Sequence, residues 1–99
     1  MKAISTKYLG PTNYKGSRIK ASDEDGNSIT IGSPHEANMG PDAHSVAALA
    51  LCRKMGWTYQ EHRFTHLLAG GLKDSYVFVF AVNPGNLYDC YPLPKADQP

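Results

Sequence analysis

Between residues 17 and 31 the side chains alternate. Ile19 and Ala21 fall on one side, Arg18, Lys20 and Ser22 fall on the other, and after Asp23-Glu24-Asp25-Gly26-Asn27 the pattern resumes with Ile29 and Ile31. A period of two marks a strand with one buried and one solvated face. The intervening residues suit a tight turn: Asp and Asn tolerate left-handed backbone, glycine enters it freely, and an Asp side chain accepts nearby N–H groups. The segment therefore predicts a β-hairpin that is apolar on one face and basic on the other, and the apolar face needs a covering layer.

Residues 2–9 extend this pattern. Ile4, Thr6 and Tyr8 share one face and Ala3, Ser5, Lys7 and Leu9 the other, until Gly10-Pro11 stops the strand. The three strands form a meander whose inner face carries Ile4, Ile19, Ile29 and Ile31. Residues 32–40 read as irregular. Pro41 then fits the first turn of a helix that runs to about Met55, because proline is pre-organised for that position. At helical spacing His44, Ala48, Leu51, Cys52 and Met55 form one stripe. Arg53 and Lys54 complement the negative helix end, and Gly56 follows as the left-handed stop residue.

Beyond the helix, Trp57 and Tyr59 are expected to close the core beneath it, as large aromatics often do. Residues 64–69 and 75–82 bracket Gly70-Gly71-Leu72-Lys73-Asp74 and read as a second hairpin. Its second strand has Tyr76, Phe78 and Phe80 on one face and Val77, Val79 and Ala81 on the other. Being apolar on both sides, it belongs in the middle of a sheet. Pro84, Gly85, Pro92, Pro94 and Pro99 then break any period, so residues 83–99 read as a tail that Tyr88, Tyr91 and Leu93 would pin in part.

Ninety-nine residues allow a single domain with one modest core. The expected organisation is one α+β domain over residues 1–82 followed by the tail: an antiparallel sheet of about five strands, one amphipathic helix on one face, order β-β-β-α-β-β. The open face is expected to be polar and basic. Charge is unevenly distributed. The net charge is only +1, yet half of the ten Lys and Arg residues, Lys2, Lys7, Lys15, Arg18 and Lys20, precede the first carboxylate, Asp23. Bulk attraction would not hold such a chain on nucleic acid, whereas a local patch would. Two cysteines with no disulfide-dense pattern, no leader-like start and no apolar run near the ~20 residues that span a bilayer point to a soluble, cytoplasmic protein with free thiols.

Several strings carry a resemblance: Thr6-Lys7-Tyr8-Leu9-Gly10-Pro11-Thr12-Asn13, Gly16-Ser17-Arg18-Ile19-Lys20-Ala21, Asp25-Gly26-Asn27-Ser28-Ile29-Thr30-Ile31, Lys54-Met55-Gly56-Trp57 and Tyr76-Val77-Phe78-Val79-Phe80. Over roughly residues 1–80 the chain resembles a family of small proteobacterial proteins of uncharacterised activity, often carried on prophages, plasmids and other mobile elements. The resemblance implies context more than chemistry. Small proteins from that context often occupy a host machine, and anti-CRISPR proteins are one such class. At the helix start, where the family usually holds a histidine among charged residues, this chain has Asp42-Ala43-His44, and its tail departs from the shorter members.

The residues themselves supply few chemical constellations. The acidic turn fails as a calcium loop, since an EF-hand needs glycine sixth and a bidentate Glu twelfth, and here Gly26 is fourth after Asp23. His62 and His66, with Cys52 or Cys90, suggest zinc, but in a strand two residues four apart lie ~13 Å from one another, too far for one ion, and only a helical segment would bring the pair together. His44 and Cys52 lie two helical turns apart, ~12 Å, which prevents direct hydrogen bonding and argues against a nucleophile pair. Gly70-Gly71 lacks the strand-to-helix context of a phosphate loop.

The reading is therefore a non-enzymatic binding protein, without cofactor or metal, whose contact residues are Lys7, Tyr8, Asn13, Tyr14, Lys15, Arg18 and Lys20, acting by charge, stacking and hydrogen bonding. Its expected partner is a host protein or ribonucleoprotein complex, such as a CRISPR-Cas defence complex. A small nucleic-acid-binding regulator using the same basic strands is the alternative. A homodimer through a sheet edge is compatible with both.

Overall fold

Among the described residues six strands form one sheet in which every pairing is antiparallel. The computed structural model describes residues 3–10, 16–32, 41–60, 63–73, 75–82 and 90–95. Its elements are β1 (Ala3–Leu9), β2 (Arg18–Asp23), β3 (Ser28–Gly32), α1 (Pro41–Met55), β4 (His66–Gly71), β5 (Ser75–Ala81) and β6 (Cys90–Pro92). The sheet order is β3-β2-β1-β5-β4-β6, so β1 joins the first meander to the second hairpin by pairing with β2 on one side and β5 on the other. The fold is α+β, as expected from the sequence, with one strand more than anticipated.

The β2–β3 turn forms for the reasons the residue types suggest. The backbone N–H groups of Asp25 and Asn27 donate to Asp23 Oδ1 at 3.0 and 2.9 Å, and the Asn27 amide donates to Asp23 Oδ2 at 2.9 Å. Gly26 takes the left-handed backbone the turn requires, at φ 91°. At the other end of the first meander's layer, α1 stops at Gly56, φ 76°, where Trp57 N–H donates to the Cys52 carbonyl at 2.9 Å and Gly56 N–H to the Arg53 carbonyl at 3.3 Å. This is the Schellman arrangement, which satisfies two otherwise orphaned carbonyls.

One sheet face is packed by α1, which touches β1 through β5. Ala43, Ala47, Ala48, Leu51 and Cys52 are fully buried against Ile4, Ile19, Ala21, Leu67 and Phe78. The alanines on this stripe bring the helix axis close to the strands, and each buried large apolar side chain contributes about 1.5–3 kcal/mol. Lys54 Nζ donates to the Ser28 carbonyl at 2.8 Å, tying the last helical turn to the edge strand β3.

One local expectation changes, and the C-terminal segment gains definition. The glycine pair was expected in the turn, but β4 runs through Gly71, and the hairpin closes beyond it where Leu72 N–H donates to the Ser75 carbonyl at 2.8 Å. Gly71 opposes Tyr76, whose ring lies 3.6 Å from where a Cβ would sit, an ordinary contact distance. Residues 90–95 pack on the body, and Tyr91 and Leu93 are among the residues the sequence offered to pin this segment. Cys90, Tyr91 and Pro92 pair with β4, Leu93 is buried, its N–H donates to the Thr65 carbonyl at 2.9 Å, and Tyr59 N–H donates to the Pro94 carbonyl at 2.8 Å. Pro92 fits this outermost strand because an edge position does not demand its missing N–H.

Candidate partner-binding face

Strand alternation decides what faces away from α1. Ile4, Thr6, Ile19 and Ala21 are buried on the helix side, so Ser5 and Lys7 of β1, Arg18, Lys20 and Ser22 of β2, and Ser28 and Thr30 of β3 lie on the other. The register arranges them in rows. Ser5, Ser22 and Ser28 form one row, and Lys7, Lys20 and Thr30 the next. Lys7 and Lys20 are directly opposed, both exposed. Directly opposed residues of an antiparallel pair bring their Cβ atoms to about 4.5–5.5 Å, and like charges at that spacing are unfavourable.

Arg18 stands beside this pair, opposite Leu9 and Gly32. It is half-buried, and its Nε is shielded from solvent with no hydrogen-bond partner. A shielded donor left unpaired costs about 1–3 kcal/mol. Among the described residues no carboxylate pairs with Lys7, Arg18 or Lys20. The three cations thus share one face and remain available to an anionic partner.

The open face is basic only in part. Across β5, β4 and β6 its residues are Ser75, Val77, Val79, Ala81, His66, Leu68, Gly70, Cys90 and Pro92, with Ala3 of β1 beside Val79 and Lys7 beside Ser75. This half is apolar, correcting the expectation of a uniformly polar face. Its cause is the apolar composition of β5 on both sides.

Tyr8 does not join the basic cluster. It follows Ile4 and Thr6 in the alternation, so it lies on the helix side at the end of β1, 39% exposed, across the sheet from Lys7, Arg18 and Lys20. A stacking contact by Tyr8 would be made from the helix side of the sheet. Asn13, Tyr14 and Lys15 lie outside the described residues. The aromatic residues of the described strands, Tyr76, Phe78, Phe80 and Tyr91 included, all occupy helix-side positions.

Polar chemistry on the helix side is concentrated around His44. Thr6 Oγ1 and His44 Nδ1 share a 2.7 Å hydrogen bond, Thr6 Oγ1 also lies 3.4 Å from the Tyr76 carbonyl, and the Tyr76 ring sits 4.7 Å from the imidazole. Both Thr6 and His44 are buried, and burial lowers the histidine pKa below its ordinary value. The imidazole is neutral at neutral pH and holds α1 to β1. Cys52, two turns further along, is fully buried; desolvation pushes its thiol up to about 12 against a smaller opposing pull from Arg53. That thiol stays protonated at neutral pH and carries no activated nucleophile. Burial also raises the Cys90 thiol.

His66 stands on β4 with its Nδ1 2.7 Å from Thr65 Oγ1, whereas His62 lies outside the described residues. Among the described residues no three His, Cys, Asp or Glu side chains gather closely enough to hold a metal ion, and no helix is long and apolar enough to cross a membrane. No family model, curated protein or solved structure matches the chain.

Proposed function

We propose that this is a non-enzymatic binding protein that docks an acidic protein surface against the open face of β1, β2 and β3. The observation that carries the reading is the opposed Lys7–Lys20 pair beside the unpartnered Arg18 Nε. An arrangement that costs the free protein stability is explained when a partner's carboxylates neutralise it, and complementary charge of this kind governs partner choice and encounter rate. The adjoining apolar half, with Val77, Val79 and Leu68, supplies area that charge alone does not. The mobile-element resemblance supports a host defence complex, such as CRISPR-Cas, as the partner.

Direct nucleic-acid binding is the weaker reading. Binding of single strands relies on aromatic platforms, and on this sheet the strand aromatics point toward α1. The test is affinity capture from the host with the wild-type chain beside an Arg18→Glu, Lys20→Glu variant, together with salt-titrated binding to DNA and RNA. The expected result is a folded variant that loses the principal partner of the wild type, with no tight nucleic-acid binding by either. Tight nucleic-acid binding that falls steeply with salt would overturn the reading in favour of the alternative.

A further inference from the structure

On the helix side, where α1 ends, a cleft of about 210 Å³ opens between Trp57, Phe64, Phe80 and Leu93, with Arg63 at its margin. Trp57 stands edge-on to Phe80, with ring centroids 5.9 Å apart at 89°, and Phe64 tilts against the same ring at 5.5 Å. Two rings thus lean on a third without filling the space between them. Phe64 remains 36% exposed. Its position is set by main-chain bonds: Gln60 N–H donates to the Phe64 carbonyl at 2.9 Å and Arg63 N–H to the Gln60 carbonyl at 2.8 Å. The opposite wall is held where Leu93 N–H donates to the Thr65 carbonyl at 2.9 Å.

The dimensions and charge define what fits. Clefts that enclose a whole small-molecule ligand have volumes of roughly 300–1,000 Å³, so this one suits a single side chain. Aromatic side chains seated in pockets are typical anchors of protein interfaces. Arg63 is exposed and makes no ion pair among the described residues, which leaves a guanidinium at the rim for a carboxylate. We propose that the cleft seats an aromatic side chain from an acidic segment of a protein partner, the ring against Trp57 and Phe64 and the neighbouring carboxylate on Arg63. The site lies across the sheet from the cationic face and does not depend on it.

Trp57 is the chain's single tryptophan, so its emission reports the cleft directly. Three capped tripeptides serve as probes: phenylalanine between two aspartates, phenylalanine between two asparagines, and alanine between two aspartates. The first is expected to change Trp57 emission saturably and to bind about twofold to fivefold tighter than the second, the range of an exposed ion pair. The alanine peptide should not bind. Arg63→Gln should erase the preference for the acidic peptide, and Phe64→Ala should remove binding of both phenylalanine peptides while the chain stays folded by circular dichroism, with a modestly lower melting temperature. Unchanged emission with every peptide, equal affinity for the two phenylalanine peptides, or binding of the alanine peptide would overturn the proposal. Emission that varies with protein concentration alone would do so too, by assigning the cleft to a second copy of the chain.

Discussion

The two halves of the sheet share a helix and an antiparallel ladder, yet they differ on the side away from α1. Across β3, β2 and β1 that side carries hydroxyls and three cations that pair with no carboxylate among the described residues, whereas across β5, β4 and β6 it carries Val77, Val79, Leu68 and Ala81. On the helix side both halves are alike, with Ile4, Ile19, Phe78 and Leu67 fully buried. The shared face stabilises the fold, so the features free to vary with function are those of the open face. Its basic half lowers stability through repulsion and its apolar half leaves surface that a partner would cover.

That contrast orders the expected effects. The largest belongs to the shared core: Phe78→Ala should cost about 3–5 kcal/mol in denaturant unfolding, since a fully buried ring leaves a cavity. A result under about 1.5 kcal/mol would mean that β5 is not the packed centre of the sheet. Next is the polar link between α1 and β1. Thr6→Val removes the hydroxyl facing His44 and should destabilise by about 1–3 kcal/mol, because a buried ring nitrogen loses its partner.

The same link makes stability depend on pH. The folded-state pKa of His44 lies below its ordinary 6.5, so the unfolded chain binds the extra proton first. The contribution is therefore fully present above about 6.5 and is lost as pH falls from there through the lowered folded value. Urea midpoints measured downward from pH 7.5 should fall through this window, and His44→Gln should flatten the fall. A profile equally steep in the variant would remove His44 as its cause.

How much of this was legible in the chain depends on how local the determining physics is. The β2–β3 hairpin was readable because alternation, an Asp-initiated turn and Gly26 act within a few residues. The helix and its stop at Gly56 were readable for the same reason, through Pro41, the basic last turn and the left-handed glycine. β6 was not, since three residues ending in proline carry no period, and their place is set by Leu93 filling the core. The glycine pair was misplaced because it pairs with Val77 and Tyr76 across the ladder, a register invisible along the chain. For the site, Lys7, Arg18 and Lys20 were found by charge. Their opposition depends on register, and Tyr8 was grouped with them by proximity in sequence although its parity places it on the other face. The cleft left only a faint signal, an aromatic directly after the helix stop.

The smallest stability effect carries the most information about function. Lys20→Glu places a carboxylate opposite Lys7 and turns the repulsive pair into an attractive one, worth up to about 1 kcal/mol at low salt. Raising the salt should shrink that gain, as screening acts over about 10 Å at 0.1 M. The decisive measurement is therefore the unfolding free energy of Lys20→Glu beside its capture of the wild-type partner. The account predicts a variant slightly more stable than the wild type that no longer retains that partner. A variant that is less stable, or that still holds the partner as the wild type does, would contradict it.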